Sequence, residues 1–230
     1  VTYAAALMEG IKLNNKFEDL PTCWKDYCPR NFSGNYLGDI SLIESFKSSS
    51  NIVPLKIAND IGLKKIINVA NLFGLGYEQK FEEFLPLAIG SYGDTLLNIT
   101  NAYAILNSGG NKYKPSVIEK IESNNNELIW KNKFIYDKIL DPKVNESLNK
   151  LLEKSVSEGT SIAASIKGKK IYGKTGTSDG NRDLWFIGSI NNLTIGVWMG
   201  FDENKKSNLS SGNAAYFWKR YVSKIFDTKI

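Results

Sequence analysis

Three features of this 230-residue chain predict a mixed α/β fold: apolar residues at helical spacing through most of the first 160 positions, strand-like runs clustered in the last third, and a composition, 42% hydrophobic with 12% aromatic, able to bury one substantial core. One domain is expected over 1–230, since the chain shows no repeat, low-complexity tract or linker.

The elements follow in order. Val1 to Gly10, around Tyr3-Ala4-Ala5-Ala6-Leu7, reads as a helix already under way, with no N-cap before it and Gly10 as its stop. Asp39 or Ser41 starts a second helix, Ser41 forming a capping-box pair with Glu44 and Leu42, Ile43 and Phe46 making the apolar face. It runs out at Ser48-Ser49-Ser50-Asn51. Pro54 suits the first turn of a helix bearing Ile57, Ala58 and Ile61, and Leu63, Ile66, Ile67, Ala70 and Phe73 mark another before Gly74. A further helix carries Leu96, Ile99, Tyr103 and Leu106 up to Gly109-Gly110. From Ser116 to Trp130, two β-rich runs around Ser123 to Asn126 read as a hairpin. Asp141-Pro142 opens a helix with Val144, Leu148, Leu151, Leu152 and Val156 on one face, closed by Gly159. Strands are expected at Lys170 to Thr177, Leu184 to Ile190 and Leu193 to Met199, with Asn191-Asn192 suited to a type I′ turn between the last two. A final helix from near Asn213 buries Phe217, Trp218, Tyr221, Val222 and Ile225, against that sheet.

Composition excludes several kinds of function. The charge of +5 is mild and unclustered, which argues against nucleic acid as a partner. With no histidine, every Ser-His-Asp or Cys-His scheme within the chain is removed, and so is the commonest metal ligand. Cys23 and Cys28 have neither redox-pair nor zinc-site spacing, and the sequence leaves open a local disulfide or two free thiols. No apolar run approaches the ~20 residues of a membrane span, and Val1 to Gly10 lacks a signal peptide's charged start, so any membrane anchor is expected outside these residues.

The chemistry concentrates in Tyr172-Gly173-Lys174-Thr175-Gly176-Thr177-Ser178. An ammonium, two threonine hydroxyls and a glycine along one strand can hold a carboxylate and an oxyanion, with Gly176 letting a ligand lie close. Taken alone, the tripeptide Lys174-Thr175-Gly176 reads first as a strand edge guarded by a lysine. Its surroundings decide between the two. Asp183-Leu184-Trp185-Phe186-Ile187-Gly188 and Thr194-Ile195-Gly196-Val197-Trp198-Met199-Gly200 follow it, and Glu158-Gly159-Thr160, Leu85-Pro86-Leu87-Ala88-Ile89-Gly90 and Asn101-Ala102-Tyr103-Ala104 precede it. In order and spacing this series resembles the transpeptidase domain of class A penicillin-binding proteins, and the likeness covers nearly the whole chain. Ser178-Asp179-Gly180-Asn181-Arg182 departs from the usual class A wording, which leaves subgroup and acceptor open.

The resemblance implies a β-lactamase/transpeptidase-like architecture in which helices flank an antiparallel sheet. It places the family's second motif, S-x-N, on Ser49-Ser50-Asn51, after Pro29-Arg30-Asn31-Phe32 and Gly38-Asp39-Ile40-Ser41-Leu42. By the same resemblance Ser49 relays a proton to the leaving amine, Asn51 bonds the donor peptide backbone and Lys174 sits beside Ser49. Thr175 and Thr177 then bind the substrate carboxylate, Gly176 leaves room for it, and the Thr177 N–H forms half of an oxyanion hole. The first motif, S-x-x-K, which supplies nucleophile and activating lysine, reads as absent from the chain. Alignment of Tyr3-Ala4-Ala5-Ala6-Leu7 puts the lysine about two residues before Val1 and the serine about five before it, so this chain alone is expected to be inactive.

The implied function is peptidoglycan cross-linking by D-alanyl-D-alanine transpeptidation through a serine acyl-enzyme, with stem peptides and β-lactams as ligands, at the outer, periplasmic face of the cytoplasmic membrane. A membrane anchor and a glycosyltransferase domain are expected upstream, and the resemblance implies no metal and no organic cofactor. The alternatives are a non-catalytic binding or scaffold module and a D,D-carboxypeptidase on the same fold. The clusters Lys64-Lys65 and Lys167-Gly168-Lys169-Lys170 read as solvated surface.

Overall fold

A computed structural model describes residues 1–76 and 81–226. Helix α1 (Thr2–Met8) forms because small apolar residues at helical spacing bury together: Ala4, Ala5, Ala6 and Leu7 are all in the core, and Gly10 beyond it takes a φ of 88°. A ribbon that the sequence does not announce comes next, β1 (Lys16–Asp19) antiparallel to β2 (Gly38–Ser41). Ser41 then caps α2 (Leu42–Ser48), its Oγ accepting the Glu44 N–H at 3.3 Å while Glu44 Oε2 accepts the Ser41 N–H at 2.7 Å. Asp39, the other expected start, lies within β2. Helices α3 (Ile52–Ile61) and α4 (Leu63–Leu72) bury Ile52, Val53, Leu55, Ile57, Ile66 and Val69 against α1, and α5 (Leu96–Asn107) buries Ala102, Ile105 and Leu106. Leu96, expected on the buried face of α5, is 39% exposed.

Strand β3 (Asn111–Tyr113) leads into the expected hairpin, β4 (Lys120–Glu122) and β5 (Leu128–Lys131), and pairs on its far side with β6 (Tyr136–Lys138). Asp141 caps α6 (Pro142–Glu158), accepting the Lys143 N–H at 2.8 Å, and Leu148, Leu151, Leu152 and Val156 form its buried stripe. Gly159 ends that helix with φ at −121°, so the glycine does not serve a left-handed turn; a Cβ there would stand 2.5 Å from the Lys47 carbonyl oxygen, and close approach is what it permits.

The last third builds one antiparallel sheet in the order β7 (Ile171–Thr177), β8 (Asp183–Ile190), β9 (Leu193–Gly200), with Lys174 opposite Ile187 and Ile187 opposite Gly196. Helices flank it as expected. Alternation puts Phe186 under α7 (Ser211–Ile225), where Trp218 meets it edge-on at 5.3 Å between centroids, and turns Ile187 and Gly196 toward α5. Helix α6 runs along β7. Two expectations are corrected here. Of the pair Asn191-Asn192 only Asn191 has positive φ (52°), so the turn is not type I′, which needs both. On α7, Trp218 and Val222 are fully buried, but Phe217, Tyr221 and Ile225 are 53%, 52% and 48% exposed: Phe217 and Tyr221 each lie about 100° round the helix from the buried residue that follows them, and Ile225 is the last residue of the helix.

Cys23 and Cys28 form a disulfide, which resolves the alternative the sequence left open. Among the described residues no helix is long and apolar enough to cross a membrane, and no group of three His, Cys, Asp or Glu stands where a metal could be held.

Candidate active site

Strand β7 is an edge of its sheet, and its edge is partly dressed by hydroxyls. The Ser178 N–H points to β8, donating to the Asp183 carbonyl at 3.0 Å, whereas the Thr175 N–H points the other way and donates to Ser161 Oγ at 3.0 Å. Strand alternation therefore sets the Thr177 N–H along the same outer edge as that of Thr175. A Cβ at Gly176 would meet nothing closer than Trp185 at 3.4 Å, so no protein atom crowds this stretch.

Lys174 carries the strongest electrostatic feature. Its Nζ donates to Ser49 Oγ at 2.9 Å, to the Thr175 carbonyl at 3.1 Å and to Thr160 Oγ1 at 3.4 Å, and it lies 5.8 Å from the centre of the Phe46 ring. Among the described residues no carboxylate is within ion-pair distance of it. Burial lowers its pKa to about 8, since neutral oxygens and a ring replace water without supplying a counter-charge. The ammonium is thus partly stripped of water and without a carboxylate partner among the described residues, a place for an anion.

Ser49 faces it across the cleft in an unusual conformation. As the residue closing α2 it has φ 58° and ψ 44°, left-handed values that a side chain resists. Because its Oγ accepts from Lys174, its own proton is free to be donated onward. The two residues after it are tied down from below. Ser50 Oγ donates to Asp19 at 2.7 Å and accepts the N–H groups of Ile52 and Val53 at 3.1 and 3.2 Å. The Asn51 N–H donates to Asn31 Oδ1 at 2.8 Å, and Asn51 Nδ2 donates to the Arg30 carbonyl at 2.8 Å.

Of the residues singled out in the sequence, Ser49 and Lys174 touch, and Thr175 joins them through Thr160 Oγ1 at 3.3 Å. Asn51 and Thr177 are set nearby by chain connectivity and make no hydrogen bond to Lys174. Sequence reasoning missed Thr160 and the buried Ser161, although Glu158-Gly159-Thr160 stands in the quoted series directly after a helix stop. It also missed Asp19. The letters S-x-x-K do occur, at Ser147-Leu148-Asn149-Lys150, but there the Ser147 hydroxyl donates to the Lys143 carbonyl of its own helix at 2.9 Å, outside the cleft. Tyr3 of α1 packs edge-on against Phe46 at 4.9 Å, so the first turn of α1 stands behind the ring that lies under Lys174.

Comparison with known proteins gives a consistent picture. The profile of the family described as penicillin binding protein transpeptidase domain matches residues 1–217. Penicillin-binding protein 1A of Rickettsia prowazekii is 32% identical over 234 aligned residues, covering 89% of this chain, and penicillin-binding protein 4 of Bacillus subtilis is 32% identical over 183, covering 78%. The chain spans 29% of the length of each of these relatives. In three dimensions it superposes on the crystal structure of penicillin-binding protein 1A from Haemophilus influenzae with a TM-score of 0.89 at 22% identity, covering 100% of this chain and 41% of that one. An imipenem acyl-enzyme complex of penicillin-binding protein A from Mycobacterium tuberculosis superposes with a TM-score of 0.83 at 20% identity, covering 96% of this chain and 57% of that one.

Proposed function

The chain belongs to the penicillin-binding protein transpeptidase domain family, and from that premise we propose that residues 1–230 are the C-terminal part of a serine acyltransferase domain that cross-links peptidoglycan. The supporting observation is the 2.9 Å contact from Lys174 Nζ to Ser49 Oγ, which joins the strand and loop motifs across 125 residues and leaves the ammonium without a carboxylate partner.

In this reading a stem peptide ending in D-Ala-D-Ala lies along the free edge of β7. Its terminal carboxylate takes the place opposite Lys174, with the hydroxyls of Thr175 and Thr177 as further donors. The nucleophilic serine and its lysine precede Val1, on a helix continuous with α1 whose first turn already backs onto Phe46. That serine gives its proton to the lysine beside it and attacks the penultimate carbonyl, and the Thr177 N–H stabilises the oxyanion. Collapse of the intermediate breaks the peptide bond; the departing D-Ala amine receives the Ser49 proton, and Lys174 replaces it. An amine from a second stem peptide then attacks the acyl-enzyme by the reverse route: its proton passes through Ser49 to Lys174, and the ester bond breaks as the serine takes its own proton back from the lysine beside it. A β-lactam acylates the same serine by opening its ring. We place the protein at the outer face of the cytoplasmic membrane, with an anchor and a glycosyltransferase domain upstream; the Cys23–Cys28 disulfide supports an oxidising compartment.

Mass spectrometry after incubation with a labelled penicillin tests this reading. Residues 1–230 alone should form no stable adduct, and a version extended N-terminally to restore S-x-x-K should form one on the new serine. An adduct on Ser49, or none on the extended protein, would overturn it.

A further inference from the structure

Asp19, at the end of β1, is fully buried, yet no cation stands within ion-pair distance of it among the described residues. Its carboxylate is met instead by neutral donors: Asn31 Nδ2 at 3.0 Å from each oxygen, Ser50 Oγ at 2.7 Å and the Leu37 N–H at 2.9 Å. Burying an ion in this way is costly, and for stability alone an apolar side chain serves as well or better. The donors show what the ion does. Two of the three are the residues that hold the loop at 49–51 in place.

The consequence follows from atom types. A carboxylate only accepts, so the face of Asn31 turned toward it must be its NH2 group; one N–H spans the two oxygens and the other goes to the Asn35 carbonyl at 2.9 Å. Asn31 Oδ1 is thereby committed to the opposite direction, where it receives the Asn51 N–H at 2.8 Å. Asn51 in turn donates one side-chain N–H to the Arg30 carbonyl, and its second N–H and its Oδ1 have no hydrogen-bond partner among the described residues. We propose that Asp19 is a positioning residue for the cleft: it fixes the orientation of the Asn31 amide and, through it, the placement of Asn51, whose side-chain amide is thereby offered to the donor peptide backbone. This rests on the reading of Asn51 as a contact for the donor peptide.

The test is a double-mutant cycle on the 230-residue chain, using NMR titration with an N-acetylated peptide ending in D-Ala-D-Ala and, alongside it, amide exchange at Asn51 and thermal unfolding. Asn51→Ala should weaken peptide binding about tenfold. Asp19→Asn turns a donor toward Asn31, and although it touches no ligand it should weaken binding by a similar factor and speed exchange of the Asn51 amide. The double variant should bind no worse than Asn51→Ala alone. If Asp19→Asn does not fold, Asn31→Ala replaces it in the same cycle. Losses that multiply in the double variant would make Asp19 merely structural, and unchanged binding by Asp19→Asn would refute its role outright. Unchanged binding by Asn51→Ala would instead remove the peptide-contact reading on which the proposal stands.

Discussion

The two arms of the cleft are held by opposite means. The loop arm, Ser49 to Asn51, is strained in its backbone and tied down from below: a left-handed serine is followed by Ser50 and Asn51, which are held by a buried carboxylate and by Asn31. The strand arm, Lys174 to Thr177, is relaxed in its backbone and unsatisfied in its charge, with an ammonium partly stripped of water and given no counter-ion. One arm stores its free energy in conformation and the other in electrostatics. The first is suited to presenting groups at fixed positions, and the second to acting on charge that arrives with a ligand.

The largest expected effect breaks the strand arm. In the N-terminally extended protein, Lys174→Ala should lower the penicillin acylation rate roughly a hundredfold or more, about 3 kcal/mol of barrier, while stability changes far less. Lys174→Arg should rescue only part, because a planar fork does not occupy the position of a compact ammonium. Stopped-flow acylation beside thermal unfolding measures both, and an Ala variant with unchanged acylation would reduce Lys174 to an ordinary strand-edge charge.

The next breaks the loop arm. Ser50→Ala removes a donor from Asp19 and the acceptor for two helix N–H groups, so it should cost about 2 kcal/mol in urea unfolding. A loss under 0.5 kcal/mol, the usual size at the surface, would mean that the network does not hold the loop.

The pH dependence of stability sharpens the contrast. Lys174 loses its proton at about 8 in the folded chain against an ordinary value of 10.5, so below pH 8 both states are protonated and the burial cost is fully present. Between those values the unfolded chain binds more protons, and stability rises with pH. Relative to Lys174→Met, wild type should gain on the order of 1–2 kcal/mol across that window, after allowing for partial solvent screening. A pH-independent difference would show the ammonium to be solvated.

The smallest effect concerns Ser49. Ser49→Gly should be more stable than Ser49→Ala by about 1 kcal/mol, since only glycine enters the left-handed region freely. Equal stabilities would mean that the loop relaxes out of that conformation.

Much of this was legible in the sequence wherever the cause was local. The Ser41–Glu44 box, the Asp141-Pro142 helix start and the three strands of the sheet each follow from neighbours a few residues apart, and the resemblance carried Ser49 and Lys174 to one cleft. Asp19 was not legible. In Lys16-Phe17-Glu18-Asp19 it looks like one more solvated charge, and only its meeting with Asn31 and Ser50, 12 and 31 residues on, makes it central. The aromatic face of α7 failed for a similar reason: spacing identifies an apolar side of the helix, but the sheet beneath decides how wide a stripe is covered, and Phe217 and Tyr221 lie beyond it.

The Lys174–Ser49 contact also has a kinetic meaning. Its two residues are separated by 125 positions, among the longest connections in the chain, whereas the capping boxes close within three. Closing so long a loop is entropically expensive and is repaid only once the helices and the sheet have docked, so contacts of this kind form late in folding. The cleft should therefore assemble as one of the last events on the folding route.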